Sequence, residues 1–289
     1  MNIALIGLGE FGRAIASLLE YNGHEYEYAE KGKLLTKPAD VVFLTVPTQF
    51  LRQALEDNKQ WLSEKTLVVN CIKGIEEDSH LLVHQIVESI GNFPRYYALM
   101  GPSFAKEVIR KNPTIVSLGY IDARHRKKVM DLVQTPYFRV EPIKGFRAIE
   151  LASALKNVYA ILCGYANGMG FGQNTEAKLI TLALQEFETL AAAMGYKHFD
   201  CAAPAVVGDM VLTCTSDQSR NYRFGRQLAR KKSVKVSDND TVEGYHTSHS
   251  IQALCEQYKV QLPLATLTAE IIGARVETEA EFRKFLAIR

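Results

Sequence analysis

The sequence predicts an α/β protein in two parts: a doubly wound, mostly parallel sheet over residues 1–145 and an all-helical domain over residues 146–289. Three observations carry this. Short apolar runs alternate with helical stretches as far as about residue 145, the pattern of βαβ units. A glycine-rich turn directly follows the first run and opens a helix. Beyond residue 145 the apolar spacing becomes helical and no alternating segment returns.

The runs read as strands are Ile3–Ile6, Tyr26–Ala29, Val41–Val46, Leu67–Cys71, Tyr97–Met100, Ile115–Leu118 and Phe138–Val140. Most are continuous Val/Ile/Leu stretches, as expected of strands covered on both faces. A long helix is predicted over Arg147–Asn167, where apolar or small residues recur at 148, 151, 152, 155, 158, 159 and 162. Gly168–Gly172 breaks it. A second helix is expected to be capped by Asn174, with Glu176 in its first turn, and to run to Met194 before Gly195. The polar stretch Lys231–Asp240 reads as a surface loop.

Composition narrows the function classes. Of 289 residues, 34 are Lys or Arg and 32 are Asp or Glu, a net charge of +2, which argues against a dedicated nucleic-acid or membrane-surface binder. Hydrophobic residues make up 47%, which excludes disorder for the chain as a whole. The five cysteines are an odd number with no C-x-x-C spacing, so free thiols in a reducing, cytoplasmic setting are expected, with neither disulfide framework nor zinc site. Met1–Leu19 lacks a basic start and is interrupted by Glu10 and Arg13, so it reads as folded protein, not a leader. The pairs His80/His84 and His246/His249 have metal-like spacing but no nearby partner motif, and read as surface or structural residues with no metal.

Gly7-Leu8-Gly9-Glu10-Phe11-Gly12 lies between a strand and a helix, the context that makes this motif a dinucleotide fingerprint. Gly7 serves the tight turn, Gly9 lets the backbone approach a pyrophosphate, and Gly12 lets helix and sheet pack closely, with the helix N-terminus facing the negative charge. Glu30, near the end of the second run, is placed to bond the adenosine ribose hydroxyls. Lys31 and Lys33 follow and offer a cation for a 2′-phosphate, and all three also fit solvated loop charges. The cofactor expected is therefore NAD or NADP, with NAD preferred.

A second constellation is polar. Lys73-Gly74 and Gly101-Pro102-Ser103-Phe104-Ala105 follow predicted strands, at the carboxyl ends where ligands bind in parallel sheets. Lys156-Asn157 lies in the long helix, and Asp209, Thr213 and Ser219-Arg220-Asn221 come later. Lys156 shares a packed face with Ala152, Tyr159 and Cys163. It either extends its charge along that face to water or lies partly desolvated in an interdomain cleft, able to exchange a proton near neutral pH. Arg220, Arg223, Arg226 and Arg230 recur at helical spacing. They form a nucleic-acid face, a solvated helix face, or a row of which only Arg220 grips a phosphate.

The segments Gly7–Gly12, Lys73-Gly74-Ile75-Glu76, GPSFAKEV at 101–108, ELASALKNV at 150–158, GDMVLTCTSDQSRNYRFGR at 208–226 and Val242-Glu243-Gly244 stand in one order. Together they closely resemble the bacterial-type NAD(P)-dependent sn-glycerol-3-phosphate dehydrogenases over nearly the whole chain. The resemblance implies a Rossmann-type domain with a helical domain of the 6-phosphogluconate-dehydrogenase-like kind. It implies an oxidoreductase interconverting dihydroxyacetone phosphate and sn-glycerol 3-phosphate, which supplies glycerophospholipid synthesis, and a homodimer. It implies Lys156 as the catalytic acid/base, with Asp209 orienting it or bonding the substrate. The implied substrate set is Lys73, Gly101, Ser103, Asn157, Asp209, Thr213, Ser219, Arg220 and Asn221. The implied cofactor contacts beside the glycines are Phe11, Lys73, Ala105, Arg220, Val242 and Glu243.

Three departures from the family pattern stand out. Glu10 and Phe11 replace a small residue and an aromatic that is often Trp. Ile72 replaces a small polar residue before the lysine. Only Lys31–Asp40 separates the second strand from the third, where the family normally has a helix and a further strand. The shortened segment removes part of the adenosine-side wall. Two rivals keep the architecture: a β-hydroxyacid dehydrogenase, against which GPSFAKEV and SRN argue, and a non-catalytic nucleotide-binding or regulatory protein.

Overall fold

The computed structural model describes residues 1–197, 199–231, 234, 242–274 and 279–288. The chain divides into two compact units, one comprising residues 1–153 with 198–209 and the other residues 154–197 with 210–289. The sequence boundary at 145/146 marks the start of the long helix; the division between units falls inside that helix.

The first unit is built on seven strands: β1 (Ile3–Ile6), β2 (Tyr26–Ala29), β3 (Val41–Leu44), β4 (Leu67–Asn70), β5 (Tyr96–Met100), β6 (Thr114–Tyr120) and β7 (Phe138–Lys144). Their order is β2-β1-β3-β4-β5-β6-β7, with every neighbouring pair parallel except β5 and β6. Each of the seven predicted runs coincides with or overlaps one of these strands, β3 ending at Leu44 and β7 extending to Lys144. Burial separates them. β1, β3, β4 and β5 are buried at every position, whereas β2 at the edge is mostly half-buried and β7 at the other edge alternates. Helices α1 (Glu10–Tyr21), α2 (Thr48–Asn58), α3 (Val83–Ile90), α4 (Ala105–Ile109) and α5 (Arg126–Val133) connect strands. Leu5, Ile15, Leu18, Phe43, Val69, Val129 and Phe138 lie in the core. Each such side chain contributes about 1.5–3 kcal/mol by leaving water.

The chain leaves β1 for β2 on one side and then crosses to β3 on the other. The strand order therefore reverses at β1, the point where open α/β sheets bind ligands. The crossing from β2 to β3 has no helix, as the short spacing predicts. Glu30 and Lys33 close a tight turn by exchanging backbone bonds of 2.8 and 2.9 Å around Gly32, whose φ is +81°. Glu27 then accepts from the Thr36 amide and hydroxyl, and buried Leu35 donates its amide to Asn58 Oδ1.

The long helix is α6 (Phe146–Gly168), followed by α7 (Gln173–Ala193). Sequence spacing predicted one apolar stripe on α6, but residues 148–166 are buried all round, the behaviour of a helix inside a domain. Asn174 does not cap α7; Gly172 occupies that position, and Gly195 follows the helix with φ +75°. Glu176 is in the first turn but buried, accepting from the Tyr222 hydroxyl at 2.6 Å. The rest of the second unit comprises most of α8 (Asp209–Cys214), then α9 (Arg220–Lys231), α10 (Glu243–His249), α11 (Ile251–Tyr258), α12 (Pro263–Ile272) and α13 (Glu279–Ile288). No strand occurs after residue 145 among the described residues, and none of the described helices is long and apolar enough to cross a membrane. Of the predicted loop 231–240, Lys231 ends α9, while residues 232, 233 and 235–240 lie outside the described residues.

Two glycines set the spacing of α6 and α9. A Cβ on Gly164 would lie 1.9 Å from the Tyr222 carbonyl oxygen, and one on Gly225 would lie 1.9 Å from that of Ile161. The backbones can therefore approach only because both positions lack a side chain. On α7, buried Glu186 accepts from the amides of Leu264 (2.5 Å) and Ala265 (3.1 Å), satisfying otherwise unpaired donors of the first turn of α12.

Candidate active site

In the first unit, the fingerprint turn sits at the end of β1. Gly7 has φ +102°, and a Cβ there would lie 2.7 Å from the Val46 side chain. A Cβ on Gly12 would lie 2.4 Å from the Gly7 carbonyl oxygen, so α1 can start close to the strand only with glycine at that position. Thr45 holds the same oxygen, donating to it at 2.7 Å. Nothing in the sequence near Thr45 signals this role. Gly9, the residue before α1, differs from the other two: nothing lies within 4 Å of where its Cβ would be. A backbone with that clearance at a helix N-terminus suits close approach of an anion.

Phe11 is half-buried on α1, and Glu10 is exposed. Glu30, Lys31 and Lys33 are all exposed, and the Lys33 ammonium lies 3.2 Å from the centroid of the Tyr28 ring.

Lys73 follows β4 and reaches across two strand ends. Its ammonium donates to the Gly101 carbonyl at 2.8 Å and to Asp209 Oδ2 at 2.7 Å. The Asp209 carboxylate is nearly inaccessible, with a side chain 2% exposed against 17% for Lys73. Removing one partner of such a pair is costly, because the other charge is left buried. A π-helical turn over Pro204–Gly208 delivers Asp209, and its Ala205 amide donates to Ser117 Oγ on β6. Ser103 donates to the Gly101 carbonyl at 3.0 Å, and Ala105 opens α4. Lys73, Gly101, Ser103 and Asp209, predicted from separate stretches of sequence, therefore form one cluster.

In the second unit, Lys156 is only 6% exposed and donates to the Thr213 hydroxyl at 2.7 Å. It is buried on α6 and does not extend its charge along the helix face to water. Asn157 Oδ1 accepts from Asn221 Nδ2 at 2.9 Å, and Asn221 Oδ1 accepts from the Gly244 amide at 3.0 Å. A Cβ on Gly244 would meet the Asn157 carbonyl oxygen at 2.3 Å, so α10 comes directly against α6. Val242 precedes α10 and Glu243 is its first residue. Ser219 is buried, with its hydroxyl accepting from the Tyr222 amide, while Arg220, the first residue of α9, is exposed. Farther along the arginine row, Arg226 pairs with Asp217 and Arg223 donates to the Asp217 carbonyl.

Of the paired histidines, His84 is buried with Nδ1 against Glu150, while His249 is exposed.

Residues 26–126 match the family profile for the NAD-dependent glycerol-3-phosphate dehydrogenase N-terminus, and residues 146–282 match that for its C-terminus. The chain belongs to the NAD-dependent glycerol-3-phosphate dehydrogenase family. It is 34% identical to the NAD(P)+ glycerol-3-phosphate dehydrogenase of Maridesulfovibrio salexigens, covering 94% of both chains. It is 31% identical to that of Alcanivorax borkumensis, over 94% of this chain and 89% of the relative. The crystal structure of the glycerol-3-phosphate dehydrogenase of Coxiella burnetii superposes with a TM-score of 0.86 at 25% identity, covering 99% of this chain and 98% of the other. A D-mandelate dehydrogenase bound to NADH shares the fold alone, with a TM-score of 0.63 at 14% identity over 95% and 98% of the two chains.

The glycerol-3-phosphate dehydrogenase family is one of NAD(P)-dependent enzymes, and the fingerprint region suits the cofactor: a turn closed by Gly7 and Gly12 and an uncovered Gly9 at the start of α1. Between β2 and β3 this chain has the Glu30–Lys33 turn and neither a helix nor a further strand.

Proposed function

We propose that this chain transfers a hydride reversibly between NAD(P)H and dihydroxyacetone phosphate, giving sn-glycerol 3-phosphate. The bound nicotinamide supplies or accepts the hydride at substrate C2. Gly7, Gly9, Gly12, Phe11, Ala105, Val242 and Glu243 would hold the dinucleotide, with residues 1–145 as its domain and 146–289 as the substrate domain. Glu30, at the end of β2, favours NAD because its carboxylate bonds ribose hydroxyls and repels a 2′-phosphate.

Lys156 is the general acid in ketone reduction. Its ammonium polarises the carbonyl and delivers a proton to the oxygen that becomes alkoxide; in the reverse direction the amine takes that proton back. Thr213 holds the Lys156 nitrogen, and Lys73, Ser103 and Asp209 contact the substrate. Ser219, Arg220 and Asn221 grip the phosphate, with Asn157 fixing the Asn221 amide. The phosphate does not react, so its binding energy serves to position C2.

The observation that supports this reading most is Lys156, a buried amine bonded to a hydroxyl in the family's own motif position. Glycerophospholipid synthesis is the proposed use of the product, in the cytoplasm, by a homodimer. The test is to follow NADH and NADPH oxidation by absorbance with dihydroxyacetone phosphate and, as a contrast, with a 3-oxo acid. Turnover with the phosphorylated ketone and faster oxidation of NADH are expected. Turnover only with the 3-oxo acid, or cofactor binding with no turnover, overturns the assignment.

A further inference from the structure

The buried polar centre of the first unit is Glu150, 1% exposed in the first turns of α6. Its carboxylate is fully supplied with donors. Oε1 accepts from Asn70 Nδ2 at 2.6 Å and from the Tyr96 hydroxyl at 2.5 Å. Oε2 accepts from the His84 amide at 3.3 Å and faces His84 Nδ1. A buried carboxylate requires such partners. The Asn70 bond has a second consequence that the others lack.

Asn70 is the last residue of β4, three positions before Lys73. Its Oδ1 accepts from the Ile72 amide at 2.7 Å, and its Nδ2 also reaches the Ile72 carbonyl oxygen at 3.4 Å. One side-chain amide thus links a fixed buried carboxylate to both polar groups of the residue immediately before Lys73. Ile72 is buried and apolar, so its own side chain can supply no hydrogen bond to this turn. The orientation of the Asn70 amide is determined as well. Only its NH2 can face a carboxylate, so its oxygen must face the Ile72 amide. Lys73, next in the chain, then spans to Gly101 and Asp209.

We propose that Asn70, held in one orientation by Glu150, is a positioning residue for Lys73: it fixes the turn from which the Lys73 ammonium reaches the substrate. It touches no ligand and acts through the lysine. The identity of that ligand rests on the function proposed above; the positioning role does not.

The test uses the whole chain in four forms: wild type, Asn70→Ala, Asn70→Asp, and Asn70→Asp combined with Glu150→Gln. Asn70→Ala releases the turn and should raise KM for dihydroxyacetone phosphate about tenfold or more, the scale of a misplaced binding group, with kcat changed far less. Asn70→Asp sets two carboxylates against each other and should be worse. The combined variant reverses the polarity of the bond. The amide introduced by Glu150→Gln can donate where the carboxylate accepted, and the carboxylate introduced by Asn70→Asp can still accept from the Ile72 amide. It should return KM towards the wild-type value. An Asn70→Ala enzyme with unchanged KM, or a combined variant no better than Asn70→Asp alone, overturns the proposal. If Asn70→Ala does not fold, the swap decides. A crystal structure of Asn70→Ala (or, failing that, Asn70→Asp) gives an independent reading. Lys73 retaining both bonds overturns the positioning role, and Lys73 displaced from them supports it. Absence of wild-type turnover with dihydroxyacetone phosphate would instead count against the proposed reaction, and the crystal comparison would still decide the role of Asn70.

Discussion

The Lys156 ammonium donates to the Thr213 hydroxyl across 2.7 Å, joining α6 to α8 through a side chain that is almost wholly buried. A lysine in this setting is held in one place, which a proton donor requires. Lys156→Ala should reduce kcat by about 10²–10⁴-fold, the usual range for acid/base assistance, while leaving the affinity for NADH close to wild type. Steady-state kinetics paired with NADH fluorescence titration measure both. A near-normal kcat would remove Lys156 from the chemistry.

Gly9 offers a test of the cofactor site that does not disturb the fold. Its φ of −69° is accessible to alanine, and no atom lies within 4 Å of the added methyl group. Gly9→Ala should therefore melt at the wild-type temperature yet bind NADH at least about tenfold more weakly, because the methyl occupies the path of the pyrophosphate. Unchanged NADH affinity would mean that the dinucleotide does not approach α1. Gly12→Ala is the contrast: its Cβ meets the Gly7 carbonyl oxygen at 2.4 Å, so stability should fall as well.

The contrast between these two glycines shows what a sequence carries. The strands and the fingerprint were legible because their causes are local: buried runs such as Val41–Leu44, and glycines at fixed offsets after one of them. Lys73, Gly101, Ser103 and Asp209 were each recognisable, but the bond between Lys73 and Asp209 joins residues 136 apart. Three buried glutamates, each taking a tyrosine hydroxyl, left no trace in the local pattern. Tyr96–Glu150, Tyr159–Glu186 and Tyr222–Glu176 span 54, 27 and 46 residues. Glu176 looks in the sequence like a first-turn charge for the same reason, since a buried and an exposed glutamate look alike until the partner is known. The all-round burial of α6 was hidden because its second face consists of small residues such as Ala154, Ala160 and Gly164, which periodicity weighs lightly.

Arg220 begins α9 and is exposed, next to buried Ser219 and Asn221. A guanidinium at that position can form a bidentate contact with a phosphate. A charge-assisted bond of this kind contributes about 1.5–3 kcal/mol, so Arg220→Ala should raise KM for dihydroxyacetone phosphate by roughly 10–150-fold with a smaller change in kcat. Arg223→Ala, one turn along and bonded to the Asp217 carbonyl, should leave KM unchanged. Equal effects of the two substitutions would mean that the row acts as a diffuse positive surface, and the dependence of KM on salt would then show it.

The tyrosine–glutamate pairs predict how stability responds to alkali. Burial is the largest cause raising the pKa of Tyr96 and of Tyr159, and the facing carboxylates of Glu150 and Glu186 add to it. Both hydroxyls therefore titrate above the usual tyrosine value of about 10 when folded, and near that value when unfolded. Below about pH 10 both states hold the protons and stability is unaffected. Above it the unfolded chain releases protons that the folded chain retains, so stability falls as pH rises. Tyr159→Phe removes one such group. Its melting temperature should lie below that of the wild type at neutral pH, where the hydroxyl bond to Glu186 is lost, and the gap should narrow between about pH 9 and about pH 11. Melting temperatures of the two proteins that decline in parallel over that range would show that Tyr159 titrates alike in both states, and would remove this pair as a source of alkaline sensitivity.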